Sequence, residues 1–127
     1  MWLCMNDAFL SIVDKDCEPD ELLVRARRDG DIERVFPGAK VEVTLGNDYR
    51  CRARVKRADV AAAISARVMD IGYSNFKGST RDDELHDAYM GAWHAFGKLQ
   101  PGGPYSAGLR RQPKAAAKSR VPRDGEL

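Results

Sequence analysis

The chain reads as an α+β protein: an antiparallel sheet of four to five strands with helices on one face, a ferredoxin-like variant, followed by a disordered basic C-terminal tail. Three observations lead there. The first half alternates apolar and polar residues in short runs, the period of strands with one wet face. From Asp59 the apolar spacing becomes helical, and after Pro101 no apolar period is left. A chain of 127 residues suits one core, since single domains commonly hold about 100–150. We therefore place one α+β domain at residues 1–104 and a flexible basic tail at 105–127.

Trp2 to Met5 and Phe9 to Val13 flank Asn6-Asp7, a dipeptide suited to a tight turn, and predict an opening hairpin. The acidic loop Asp14 to Glu21 follows, then a third strand at Leu22 to Arg27. Asp29-Gly30-Asp31 offers capping groups for a short helix whose Ile32, Val35 and Phe36 share a face, and Pro37-Gly38 stops it. Lys40 to Leu45 alternates with Val41, Val43 and Leu45 on the dry side. After Gly46-Asn47-Asp48, Tyr49 to Lys56 alternates again, with Tyr49, Cys51, Ala53 and Val55 inward and Arg50, Arg52, Arg54 and Lys56 outward. A helix from Asp59 should bury Val60, Ile64, Val68 and Ile71. The segment Gly72 to Thr80 reads as a loop with two aromatics. A last helix from about Asp82 to Leu99 should bury Leu85, Tyr89, Ala92, Trp93, Phe96 and Leu99.

Composition narrows the function classes. The chain is 43% hydrophobic and 31% charged, ordinary for a globular protein, and has no apolar run near the roughly 20 residues that span a bilayer. The first residues lack the basic and apolar regions of a secretory signal, which makes the cytoplasm the expected compartment. Cys4, Cys17 and Cys51 have no metal-ligand spacing and are odd in number, so reduced thiols are expected instead of disulfides or a zinc site. The net charge of +2 is split: residues 101–127 carry six basic and two acidic residues, while residues 1–100 carry 15 basic and 17 acidic.

The outward row Arg50, Arg52, Arg54 and Lys56 is the most informative feature. Same-face strand residues lie about 6.5–7 Å apart, and like charges in line need an anionic neighbour. Arg25 and Arg27 join the patch if the third strand lies alongside. Two readings are open: a docking surface for phosphates or an acidic protein, or a face neutralised by Glu42 and the Asp14–Glu21 loop. No Phe, Tyr or Trp interleaves among these arginines, which disfavours base-stacking RNA recognition. The tail, with Arg110, Arg111, Lys114, Lys118 and Arg120, could track a phosphate backbone or simply solubilise. Tyr73, Phe76 and Trp2 are candidate interface anchors, with core packing as the alternative.

His86 and His94 do not suggest a shared metal, because eight helical residues separate them by about 12 Å, against about 2 Å from each nitrogen to a bound ion. No nucleophile has a recognisable base, and Gly102-Gly103 follows a helix instead of opening one. We expect no cofactor, no metal and no enzymatic activity.

Three blocks carry a resemblance: Asn6-Asp7-Ala8-Phe9-Leu10-Ser11-Ile12-Val13; Leu22 through Pro37, with Arg25-Ala26-Arg27-Arg28-Asp29-Gly30-Asp31 at its centre; and Asn75-Phe76-Lys77 with Leu85-His86-Asp87-Ala88-Tyr89. Over residues 1 to about 100 the chain resembles a family of small, functionally uncharacterised bacterial proteins of chromosomes and mobile elements. The resemblance carries over no activity and no catalytic residue. Some small proteins of mobile elements act as anti-CRISPR inhibitors, and this implies one candidate class. The expected function is a non-catalytic binding protein, an inhibitor that binds a nucleoprotein (CRISPR-Cas-type) complex through the basic sheet face. The alternative is an accessory nucleic-acid binder making sequence-independent phosphate contacts. The expected partner is thus a protein or nucleoprotein complex, or nucleic acid through the basic face and tail, and not a membrane.

Overall fold

In the computed structural model, which describes residues 1–102, β1 (Trp2–Cys4) and β2 (Phe9–Val13) form the expected hairpin around Asn6-Asp7, with Trp2 opposite Ser11 and Cys4 opposite Phe9. β3 (Glu21–Ala26) returns beside β2, and α1 (Asp31–Val35) follows. β4 (Glu42–Val43) lies at the far edge, and β5 (Cys51–Lys56) inserts between β3 and β4. The order is β1-β2-β3-β5-β4, with every neighbouring pair antiparallel. The unit β3–α1–β4, split by β5, is the arrangement of ferredoxin-like sheets, extended here by the N-terminal hairpin. β5 runs straight into α2 (Arg57–Met69), and α3 (Phe76–Ser79) and α4 (Asp83–Gly97) complete the described elements. The chain divides into two units, Met1–Tyr89 and the segment from Met90 onward, so α4 begins in the first and ends in the second. No helix among the described residues is long and apolar enough to cross a membrane.

Period-two alternation sends Leu10 and Ile12 of β2, Val24 and Ala26 of β3, and Cys51, Ala53 and Val55 of β5 to one face. There they meet Ile32, Val35 and Phe36 from the α1 region and Val60 of α2 in one buried cluster. Ile12, Val24 and Ala53 stand in cross-strand register and form its central row. All three cysteines are free; Cys51 is buried, and desolvation together with the Asp29 carboxylate pushes its thiol pKa up.

Asp31 is the buried polar exception, 1% exposed. Its carboxylate accepts from Phe9 N (3.1 Å), Arg28 Nη2 (2.9 Å) and Arg34 Nη1 (2.7 Å). Gly30, in the left-handed region at φ 96°, is the cap of α1 and no side chain caps it. The expected capping carboxylate thus binds arginines and β2 instead. Arg28 also reaches Asp82 Oδ2 (2.8 Å) and Glu84 Oε1 (3.1 Å), and Asp82 caps α4 by accepting from Leu85 N (3.1 Å). Tyr89 Oη lies 2.8 Å from Met5 O and 3.1 Å from Ala8 O, donating to that pair, and burial raises its pKa.

Several expectations are corrected. The Lys40–Leu45 strand shrinks to two residues: Val41 is half-buried against the cluster as expected, but Val43 and Leu45 are exposed because the cluster does not extend beneath them. In α2 only Val60 is buried; Ile64 is half-buried and Val68 and Ile71 are exposed. In α4 Leu85 and Tyr89 are buried and Ala92 and Trp93 half-buried, but Phe96, and Leu99 beyond the helix end, are exposed. Apolar periodicity marks the side of a helix that could be covered, and tertiary placement decides whether a neighbour covers it. The Gly72–Thr80 loop contains α3, capped by Asn75, which accepts from Gly78 N at 3.2 Å. The boundary placed at residues 104/105 and the basic tail lie outside the described residues.

Asp31→Ala would leave Phe9 N, Arg28 and Arg34 without their acceptor. It should lower unfolding free energy in urea by about 3–5 kcal/mol, whereas Arg34→Ala, at the exposed end of the network, should change it by at most about 1 kcal/mol. Arg28 and the α4 backbone hold the Asp82 carboxyl below its ordinary pKa. Its stabilising contribution is therefore complete above the ordinary carboxylate value and is lost as pH falls through the lowered one. Urea midpoints followed from pH 6 into that acidic window should fall less steeply in Asp82→Asn than in the parent chain.

Candidate functional site

Residues alternating with the buried cluster emerge on the opposite face of the sheet. Directly paired residues share a face, so Trp2, Ser11, Arg25, Arg52 and Glu42 form one row that crosses all five strands. The next row holds Val13, Leu23 and Arg54, and beyond it Glu21 faces Lys56. The strand assignment of residues 51–56 and the outward direction of Arg52, Arg54 and Lys56 agree with the alternation in the sequence.

This face has two chemically different ends. At one, the Asp14–Glu21 loop folds against β5: Lys56 Nζ pairs with Asp20 at 2.8 Å, Arg57 with Asp14 at 3.1 Å, and Arg54 Nε donates to Asp16 O at 2.7 Å. Arg54 also lies 3.7 Å from Glu42. The Lys56 hydrogen bond lowers the Asp20 pKa, and Asp20 in turn raises that of Lys56. These cations are already answered by the chain's own carboxylates.

At the other end, Arg25, Arg27 and Arg52 have no carboxylate partner among the described residues. Arg25 Nη2 donates to Ser11 Oγ (2.7 Å), Arg27 Nη1 to Asp48 O (2.7 Å) and Arg52 Nε to Tyr49 O (3.5 Å). The Arg25 and Arg27 guanidiniums lie 4.4 and 4.3 Å from the centroid of the Tyr49 ring. Cation–π attraction to the shared ring helps hold these two like charges, and the hydrogen-bond acceptors of all three arginines are neutral groups.

Tyr49 corrects the alternation. It is buried as expected, but its ring belongs to the arginine side and not to the helix-covered cluster, because β5 proper begins at Cys51. Arg50 leaves the row as well and faces Asp29 Oδ1, 3.4 Å from its Nε. The expected absence of aromatics is also corrected. Trp2 stands on this face, 63% exposed, with its ring 6.0 Å from Phe9 at an interplanar angle of 76°. Sequence separation hid this, since Trp2 and Arg25 come onto one row only through Ser11 of β2.

Tyr73 and Phe76 are half-buried instead of projecting. Their rings lie 5.9 Å apart, and Phe76 lies 5.2 Å from Tyr89. The geometry brings Arg25, Arg27, Arg52 and Trp2 onto one surface and sets Arg50, Tyr73 and Phe76 apart. The described residues contain no cluster of three or more His, Cys, Asp or Glu placed to hold a metal ion. Comparison with known protein families, curated proteins and solved structures finds no match. The functional argument therefore rests on this surface.

Replacing Tyr49 by Leu should destabilise the protein by about 1–2 kcal/mol through loss of the ring beneath two guanidiniums. Tyr49→Phe keeps the ring and should remain within about 0.5 kcal/mol of the parent in the same urea titration.

Proposed function

We propose that the protein is a non-catalytic nucleic-acid binder that grips phosphates, without reading bases, through Arg25, Arg27 and Arg52. The observation that carries this reading is the asymmetry of charge neutralisation. Lys56, Arg54 and Arg50 face carboxylates of the same chain, while these three guanidiniums are held in place by a tyrosine ring, a serine hydroxyl and backbone carbonyls. Guanidiniums positioned by neutral groups keep donors and charge for an external oxyanion, and phosphate suits their forked geometry.

A second reading is a protein-docking module, with inhibition of a CRISPR-type nucleoprotein complex as its narrower form. Exposed Val68, Met69 and Ile71 at the end of α2 favour it, since they place apolar surface where no core residue covers it.

Fluorescence anisotropy of labelled DNA across a salt series tests the first reading. Binding should weaken steeply with salt, and Arg25→Gln/Arg27→Gln/Arg52→Gln together should reduce the slope of log K against log salt by about 2–3, roughly 0.7–0.9 for each lost phosphate contact. Lys56→Gln, whose charge is answered by Asp20, should leave the slope unchanged. Absence of binding at low salt by a protein with native circular dichroism would remove this reading.

A further inference from the structure

The geometry points to single-stranded nucleic acid as the ligand of this face, with an unpaired base stacked on Trp2 while the adjoining backbone runs over Arg25 and Arg52. This inference rests on the phosphate-binding reading above and adds to it the strandedness of the ligand and the residue that selects it.

The backbone of Trp2 is held in the sheet while its ring is exposed. Met1 N donates to Ile12 O (2.9 Å) and Ile12 N to Met1 O (2.8 Å), which extends the β1–β2 ladder past Trp2. The edge-on Phe9 ring then limits the positions the indole can take. A large aromatic that is fixed by its backbone and one neighbour, yet 63% exposed, presents a flat face to whatever arrives.

The position of that ring relative to the arginines decides the ligand. Trp2, Ser11, Arg25 and Arg52 are successive members of one cross-strand row. With strands about 4.8 Å apart, the indole stands roughly 10 Å from the Arg25 column and 14 Å from that of Arg52. Ser11, between Trp2 and Arg25, is buried and its hydroxyl is already bonded to Arg25, so the row carries a ring at one side and two cations beyond it, with Glu42, whose carboxylate faces Arg54, at the far edge. A polyanion carrying planar groups beside its charges matches both parts. In a duplex each base face is covered by its neighbours in the stack, so Trp2 can pair only with a base that is not in a helix. Stacking of this kind tolerates any sequence, because every base has a π-face.

The test uses the full chain with Trp93→Phe, which leaves Trp2 as its sole tryptophan, and a single-stranded DNA of about twelve nucleotides, within the ~4–16 that sheet-based single-strand binders cover. At matched salt the single strand should quench Trp2 fluorescence and bind more tightly than the same sequence as a duplex. Trp2→Ala should weaken single-strand binding by about 5- to 100-fold, while duplex affinity and the salt slope stay unchanged; Trp2→Phe should recover most of the loss. Salt-sensitive binding that is equal for both forms, without quenching and indifferent to Trp2→Ala, would overturn the stacking inference and leave the phosphate reading standing. No binding of either form would overturn both.

Discussion

A buried carboxylate must find donors, because removing a charge from water without partners is far costlier than any single packing contact. Asp31 satisfies that demand by collecting groups from three parts of the chain: Phe9 N at the start of β2, Arg28 just after β3, and Arg34 within its own helix. Through Arg28 the constraint continues to Asp82 and Glu84 at the start of α4. These bonds tie α1 to the start of β2 and to the segment after β3. Arg28, charged under all ordinary conditions, has its pKa raised further, first by Asp31.

The same constraint reaches the opposite face. Phe9 donates its N–H to Asp31 while its ring stands against Trp2, so the residue that anchors β2 also supports the exposed indole. Alternation along a strand separates the two tasks cleanly: one set of side chains closes the cluster beneath α1 and α2, the other forms the face with the arginines. The two sets meet at Tyr49 and Ser11, which are buried and at the same time hold Arg25, Tyr49 also holding Arg27.

Like-charged side chains are arranged on this sheet in two different ways. Near the β2–β3 loop, acidic residues return over the strand and pair with Lys56 and Arg57, giving an exposed and salt-sensitive network. Near the other end, an aromatic ring and neutral acceptors hold the guanidiniums without cancelling them. Neutralisation by the chain's own carboxylates, one of the readings the sequence left open, thus holds at Arg54 and Lys56, while Arg25, Arg27 and Arg52 of the same face meet neutral groups.

Residues 51–56 could be read as a strand with Cys51, Ala53 and Val55 inward because alternation is a local property, set by geometry that repeats every two residues. The hairpin at Asn6-Asp7, the stop at Pro37-Gly38 and the start of α4 near Asp82 were legible for the same reason: turn and cap preferences act within a few residues. Strand order, the turn of Tyr49 to the arginine side, the pairing of Arg50 with Asp29 and the folding of the acidic loop onto β5 were decided only in three dimensions. So was the placing of Trp2 and Arg25 on one row, since they are 23 positions apart in the chain but share one cross-strand neighbour, Ser11. Sequence by itself determined which side chains lie on the same side of each strand. Which strands lie together, and hence which charges meet a carboxylate and which meet a ring, depends on pairing between distant segments, and that is settled by the energy of the whole packed sheet.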